Sequence, residues 1–364
     1  MASHSGWLPR EGFVADPVGR LIKRTILNPA LTLPLLLLTK YTHSGQQYAA
    51  SHQRALRAFH IAVCWGVLRW LNNFLNRRAL SNGVSDEYDW SKEVVVATGG
   101  SDGIGKEVVK MLAASDIKVA VLDVQPLTYE APPSVKYFRC DITSSSAIAK
   151  AASEIRLEIG EPTVLMNIAG VCTGKTILDS TEAEHKWTFD VNTLSHYLLA
   201  KEFLPSMIKN NHGMVMTVAS LASYNLVANL VDYAASKAAA LAFHEGLTTE
   251  LVTRYNAPRV RTLLITPGPV NTALIKGWNQ PDSFLDYMLD PGTVAEEIVK
   301  RVLAGQSGQL ILPGFASFLL PMIRAMPYWF STAARNKSEG VLAQYCGRLV
   351  EDPNKKYAKS GGPR

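Results

Sequence analysis

Cysteine is scarce in this chain. Four occur in 364 residues, Cys64, Cys140, Cys172 and Cys346, and they are scattered. None has the spacing of a metal ligand set, and neither do His185, His196 and His244. A resident metal is therefore not expected. The cysteines read as small buried hydrophobes in a reducing compartment, and the three histidines as packing or surface groups. Charge is also sparse, at 19% of residues, against about a quarter in ordinary soluble domains. That deficit predicts some surface that does not face water. No nucleic-acid-binding signature, internal repeat or low-complexity tract occurs.

The charge that is present lies at the ends. Residues 1–85 hold ten Lys/Arg against two Asp/Glu, and residues 335–364 hold seven against three. The stretch between them is mildly acidic, with twenty against twenty-six. Basic ends beside apolar stretches suit an anionic membrane surface better than nucleic acid. One such stretch, Leu31–Leu38, is too short to cross a bilayer and contains Pro34. A second, Ala58–Leu75, places Phe59, Val63, Val67, Trp70 and Phe74 on one helical stripe. Arg57, Arg69, Asn72 and Asn73 interrupt the rest, which predicts a helix lying in an interface. Packing on the protein's own core is the competing reading. A third, Leu312–Phe330, is broken by Pro313, Pro321 and Pro327 into short helices. The basic tail after Arg335 contains an Asn336-Lys337-Ser338 sequon.

Between these ends, β-branched runs alternate with helix-length segments. The runs are 93–98, 117–122, 135–138, 163–167, 214–219, 260–265 and 309–312. They predict an α/β fold, a seven-stranded parallel sheet with helices on both faces. The polar stretch Asn82–Glu93 marks a boundary. Three parts follow: a membrane-associating helical extension over 1–90, a catalytic unit over 91–313, and an apolar segment with its tail over 314–364.

The first run leads into Thr98-Gly-Gly-Ser-Asp-Gly-Ile-Gly105. Gly99, Gly103 and Gly105 allow a tight turn and a close approach to a pyrophosphate, which the next helix meets with its N-terminus. The spacing is Gly-x-x-x-Gly-x-Gly. Asp123 ends the second strand, where a carboxylate can accept from both ribose hydroxyls of NAD and would repel the extra phosphate of NADP. Asp102, and the lack of Arg or Lys in the loop, point the same way. Further on, Tyr233 and Lys237 stand at i, i+4 on one helix face, thirteen residues after Ser220. An ammonium near a phenol favours the phenolate and so suits proton transfer to or from an alcohol.

Together these residues resemble the short-chain dehydrogenase/reductase family. The likeness runs from about Ser91 to Pro313 and takes in Asp141-Ile142, Asn167-Ile-Ala-Gly170, Asn192, Tyr233-Ala-Ala-Ser-Lys237 and Pro267-Gly-Pro-Val-Asn-Thr272. Ile168 stands where the family usually has a second Asn. The resemblance implies a Rossmann-type three-layer fold with hydrophobic N- and C-terminal extensions. It implies Tyr233 as acid/base, Lys237 on the nicotinamide ribose and Ser220 on the substrate oxygen, with Asn192 holding a relay water. Gly99, Ser101, Gly103, Ile104 and Gly105 would cradle the cofactor. Asp123, Asp141, Ile142, Asn167, Ala169 and Gly170 would hold its adenosine half, and Pro267, Val270 and Thr272 would close over the nicotinamide. Lys201 would support the site. Trp278, Phe284, Tyr287 and Met288 would belong to a lid over the substrate.

The additions at the two ends look like the membrane-associated retinol dehydrogenase and 17β-hydroxysteroid dehydrogenase branch. That branch implies attachment to endoplasmic reticulum or lipid droplet with the catalytic unit in the cytosol, and homo-oligomers are common in the family. The expected function is hydride transfer between NAD(H) and a lipophilic alcohol or ketone: a retinoid, a sterol, a long-chain alcohol or a secondary-metabolite intermediate. An NADP(H)-dependent ketone reductase and a non-catalytic nucleotide-binding scaffold are the alternatives.

Overall fold

The computed structural model describes residues 9–279, 284–285, 287–336, 339–342 and 345–347. The tail beyond residue 347 and two residues of the sequon, Lys337 and Ser338, lie outside the described residues.

All seven apolar runs form strands: β1 (Val94–Thr98), β2 (Lys118–Asp123), β3 (Val135–Arg139), β4 (Val164–Asn167), β5 (Met214–Val218), β6 (Arg261–Pro267) and β7 (Gly308–Leu312). Every pairing is parallel, in the order β3-β2-β1-β4-β5-β6-β7. Every residue of β1, β5 and β6 is buried, as in a sheet covered on both faces. Alternate residues of β1 feed two separate cores. Val95 and Ala97 pack with Val108, Leu112 and Ile298, whereas Val94 and Val96 pack with Ile155, Phe203 and Leu247. Full burial of a side chain such as Leu112 or Phe203 stabilises the fold by roughly 1.5–3 kcal/mol. The strand order reverses at β1 and β4, which opens a crevice at their C-terminal ends.

The covering helices are, on one face, α5 (Gly103–Ala113) and α10 (Pro291–Leu303) and, on the other, α6 (Ser145–Glu158), α8 (Ser195–Asn210) and α9 (Val231–Thr253), with the short α7 (Glu182–Phe189) beside α9. Side chains fix where these helices start. Asp102 accepts from the N–H of Gly103, Ser144 from that of Ala147, and Asp290 from that of Gly292. Thr181 and Glu184 form a reciprocal capping box.

Four helices precede the sheet: α1 (Ala15–Arg24), α2 (Pro29–Tyr41), α3 (His43–Ser51) and α4 (Gln53–Leu80). The stripe expected on Ala58–Leu75 is divided between two surroundings. Val63 is buried, and Gly66 faces Leu27, whose carbonyl oxygen a Cβ would approach to 3.0 Å. Arg69 donates to the carbonyls of Lys23 and Leu27. Ile61, Trp65 and Leu68, which are 71%, 57% and 60% exposed, share one apolar side of α4, and Trp70, 55% exposed, lies on another side of the same helix. No single described helix is long and apolar enough to cross a membrane, although α1 and α2, bent by 50°, pass that test as a pair. After β7 the apolar segment forms two short helices, α11 (Ala316–Met322) and α12 (Tyr328–Asn336), parted near Pro327 as proline predicts.

Cys140 and Cys172 are buried, but Cys64 and Cys346 are exposed, which corrects the expectation for those two. Cys64 lies on the outward side of α4, between Val63 and Trp65. Tyr287 is also corrected as a lid residue, because it is 4% exposed and packs in the main core.

Candidate active site

One cavity runs along the C-terminal edge of β1, β2, β4, β5 and β6. It is lined by Gly99, Ser101, Gly103, Ile104, Gly105, Asp123, Asp141, Ile142, Ala169, Gly170, Ser220, Tyr233, Lys237, Pro267, Val270 and Thr272. Residues spread over more than 170 positions are thus brought together. Three expected site residues, Asn167, Asn192 and Lys201, do not line it.

Lys201 is a correction. It sits on α8 nine residues after Asn192, two and a half helical turns on and so on the opposite side, where it is exposed. Asn167 ends β4, fully buried, with both amide atoms unpartnered among the described residues. Asn192 lies just behind the wall in a π-helical turn, Asp190–Leu194, a distortion often found at functional sites. Its Nδ2 donates to the Val171 carbonyl at 2.9 Å and to Ser236 Oγ at 3.0 Å.

At one end of the cavity, Gly99 turns with φ +67° and Gly103 with φ +56°, conformations that favour glycine. The first turn of α5 faces the cavity here, and such a turn presents N–H groups without helical partners. Asp123 accepts from the N–H of Ser101 at 3.1 Å and of Gln125 at 3.0 Å, so its carboxylate is fixed while lone pairs remain. Asp141 accepts from Thr143 N–H and Oγ1. Asp102, Asp123 and Asp141 are all wall residues at this end. The one Lys or Arg among the described lining residues, Lys237, comes from α9. Such a set of backbone donors and carboxylate acceptors fits an adenine dinucleotide.

At the other end, Lys237 Nζ donates to the Val218 carbonyl at 2.8 Å and lies 5.9 Å from the centre of the Tyr233 ring. Burial pushes Lys237 down to about 8. Burial raises the Tyr233 phenol above its ordinary value, the Cys172 thiol adds to that, and a hydrogen bond with Ser220 opposes it. The sequence pattern suggests that the lysine would set the tyrosine's acidity. In this arrangement desolvation outweighs it. Ser220 Oγ accepts from Ala222 N–H at 3.2 Å and makes a long donation, 3.4 Å, to the Pro267 carbonyl. A Cβ on Gly170 would lie 3.3 Å from Lys237 Nζ and 3.4 Å from Asn192 Oδ1, so the wall leaves little room for a side chain where these residues meet.

Several supports went unread in the sequence. Thr98 Oγ1 accepts from the N–H of Ile168 and Ala169 and holds the loop after β4. Buried Asp232 accepts from Thr173 and Thr188 hydroxyls and from Tyr233 N–H. Its position beside Tyr233 was the available signal. Trp187, Cys140, Leu274 and Ile275 also line the cavity without a motif to announce them.

Comparison with known proteins agrees with this geometry. The family profile described as short chain dehydrogenase matches residues 93–283. Dehydrogenase RED2 of Cochliobolus heterostrophus is 46% identical over 215 residues, which are 58% of this chain and 81% of that protein. Human estradiol 17-beta-dehydrogenase 11 is 32% identical over 256 residues, 67% of this chain and 83% of its own length. Among solved structures, a short-chain dehydrogenase from Streptomyces avermitilis is similar with a TM-score of 0.56 at 23% identity, covering 68% of this chain and 99% of its own. One from Burkholderia cenocepacia, in complex with NADP, gives 0.56 at 24% identity, covering 66% and 96%.

Proposed function

The chain belongs to the short-chain dehydrogenase family, and on that premise we propose that it moves hydride between NAD(H) and a lipophilic alcohol or ketone at a membrane surface. The observation that carries the choice of NAD is the set of carboxylates on the wall. Asp102, Asp123 and Asp141 stand at the dinucleotide-loop end with no Lys or Arg beside them among the described lining residues. An additional phosphate there would meet these carboxylates, and the lysines near Asp102, Lys106 and Lys276, line the neighbouring cavity instead.

When bound, the nicotinamide supplies the hydride donor or acceptor. The chain's own residues handle the proton and the oxygen. In oxidation, Tyr233 takes the proton of the substrate hydroxyl at its phenol oxygen, and in reduction it returns one. Ser220 donates to the substrate oxygen as charge develops there. Lys237 stays cationic at neutral pH, since its folded value of about 8 lies above 7, and it holds positive charge behind the reacting groups. Asn192 fixes the wall at Val171 and thereby the position of Gly170 against Lys237.

The lipophilic substrate is supported by the cluster beside Tyr233, which contains Leu230, Leu274 and Trp278. The membrane reading is supported by the exposed apolar side chains Ile61, Trp65, Leu68 and Trp70 on α4 and by the basic balance of residues 1–85. The likeness to estradiol 17-beta-dehydrogenase 11 supports a hydrophobic substrate class.

Fluorescence titration with NADH and NADPH tests the reading directly. NADH is expected to bind at least about tenfold more tightly, a difference of about 1.4 kcal/mol. Tighter NADPH binding would replace this proposal with a ketone reductase. Binding of neither would favour a scaffold. Tyr233→Phe is expected to abolish turnover while leaving NADH affinity within about twofold. Unchanged turnover would remove Tyr233 from the mechanism.

A further inference from the structure

We propose that Tyr345 decides which substrates reach Tyr233. The residue comes from the far end of the chain and braces the substrate side of the site from behind Leu274. The inference rests on the oxidoreductase reading above.

Leu342 forms a small apolar cluster with Cys172 and Leu230, against which Tyr345, Leu274 and Tyr233 pack. Leu342 and Cys172 are 1% and 2% exposed, so the cluster has a dry interior. The phenol of Tyr345 reaches the carbonyl of Leu274 at 2.9 Å and that of Cys172 at 3.1 Å. These carbonyls belong to the segments after β6 and β4, which flank the catalytic tyrosine. Tyr345 thus clasps the two sides of the site together. A backbone bond from Cys346 N–H to the Lys276 carbonyl, 2.9 Å, secures the same segment.

Glycines make the room for this ring. Gly174 has φ +66°, and a Cβ there would stand 2.0 Å from the Tyr345 ring. A Cβ on Gly347 would stand 2.2 Å from the Leu274 carbonyl oxygen. The ring is seated where any larger residue at 174 would displace it.

The chemistry follows. The hydroxyl of Tyr345 is committed to backbone carbonyls, and its ring, packed with Leu230 and Leu342, backs Leu274, which lines the cavity. The carbon chain next to the reacting carbinol is therefore apolar, and its bulk is limited by the Leu274 wall that the ring holds in place. Tyr345 is a specificity-determining residue for an apolar alcohol or ketone of restricted width.

The test compares the wild-type chain with Tyr345→Ala and Tyr345→Phe on short and long 2-alkanols, measuring kcat/KM for each and NADH affinity by fluorescence. Tyr345→Ala is expected to shift the long-to-short ratio of kcat/KM by about tenfold or more, the scale on which a pocket discriminates by size. Tyr345→Phe is expected to keep the wild-type ratio, because the ring remains. Gly174→Ala, which retains Tyr345 but unseats it, is expected to move the ratio in the same direction as Tyr345→Ala. NADH affinity is expected to be unchanged in all three. An unaltered ratio in Tyr345→Ala with normal NADH binding, or no turnover of any 2-alkanol by either protein, would overturn the inference. Loss of NADH binding in the wild-type chain would instead overturn the cofactor reading.

Discussion

Asn192 and the backbone of Val171 grip each other at two points: the side-chain oxygen accepts from Val171 N–H at 2.8 Å, and the side-chain nitrogen donates to the Val171 carbonyl at 2.9 Å. All of these groups are buried. A side chain with one donor and one acceptor edge is needed, which Asp and Leu cannot supply. Asn192→Leu leaves both backbone groups of Val171 unsatisfied, at about 1–3 kcal/mol each. We expect a lower unfolding midpoint and at least about a tenfold loss of kcat. An unchanged kcat would show that Gly170 and Lys237 hold their places without this clasp.

Asp123 is engaged by two backbone N–H groups, from Ser101 and Gln125, before any ligand arrives. Asp123→Ser removes the charge and shortens the reach. NADH affinity is expected to fall about tenfold or more, with NADPH affinity falling less, so that the preference narrows. Parallel titrations of both nucleotides check this. Equal losses would mean that Asp123 shapes the loop but does not select the cofactor.

His196 and His244 are buried, each with an unpartnered Nδ1 among the described residues. Burial pushes them down to about 3 and about 4, with the Lys237 charge adding to the effect on His196. Below the ordinary value of about 6.5, the unfolded chain takes up protons that the folded chain refuses. Their contribution to stability is therefore complete above about pH 6.5 and is lost as pH falls toward 4 and then 3. The total is on the order of 3–5 kcal/mol per histidine. Urea midpoints are expected to drop between pH 7 and pH 5, and His244→Leu is expected to make that drop shallower. A slope unaffected by the substitution would assign the acid sensitivity to other groups.

The parts of this molecule written locally could be read from the sequence. The β-branched runs became strands because a doubly covered parallel sheet needs continuous apolar segments, and Val94–Val96 is one. The glycine loop and the pair Tyr233 and Lys237 could be read because spacing along one turn or one helix fixes their relation. Lys201 misled because sharing a helix with Asn192 says nothing until the phase is counted. Tyr345 could not be read at all. Its bond to the Cys172 carbonyl spans 173 residues, and no local pattern marks a residue that closes a site from so far away. The N-terminal extension, taken as an anchor, is tied to the catalytic unit by contacts of the same long-range kind.

Those ties give the last prediction. Asp16 accepts from Gly314 N–H at 2.7 Å and Phe315 N–H at 3.0 Å, across 298 and 299 positions, just ahead of α11. Arg10 pairs with Glu296 at 2.6 Å, and Glu11 accepts from Asp290 N–H at 2.9 Å. Removing residues 1–85 would therefore strip partners from α10 and α11, and loss of membrane binding in such a truncation would not separate anchoring from unfolding. Point substitutions separate them. Asp16→Ala is expected to lower stability by about 1–2 kcal/mol, with vesicle binding retained. Trp65→Ser, Leu68→Ser and Trp70→Ser together are expected to leave the unfolding midpoint in place, because the three side chains face outward. The same triple change is expected to weaken binding to vesicles of anionic phospholipid by about tenfold or more. Vesicle binding that survives the triple substitution would mean that these side chains of α4 do not meet the membrane, and the apolar surface would need another explanation.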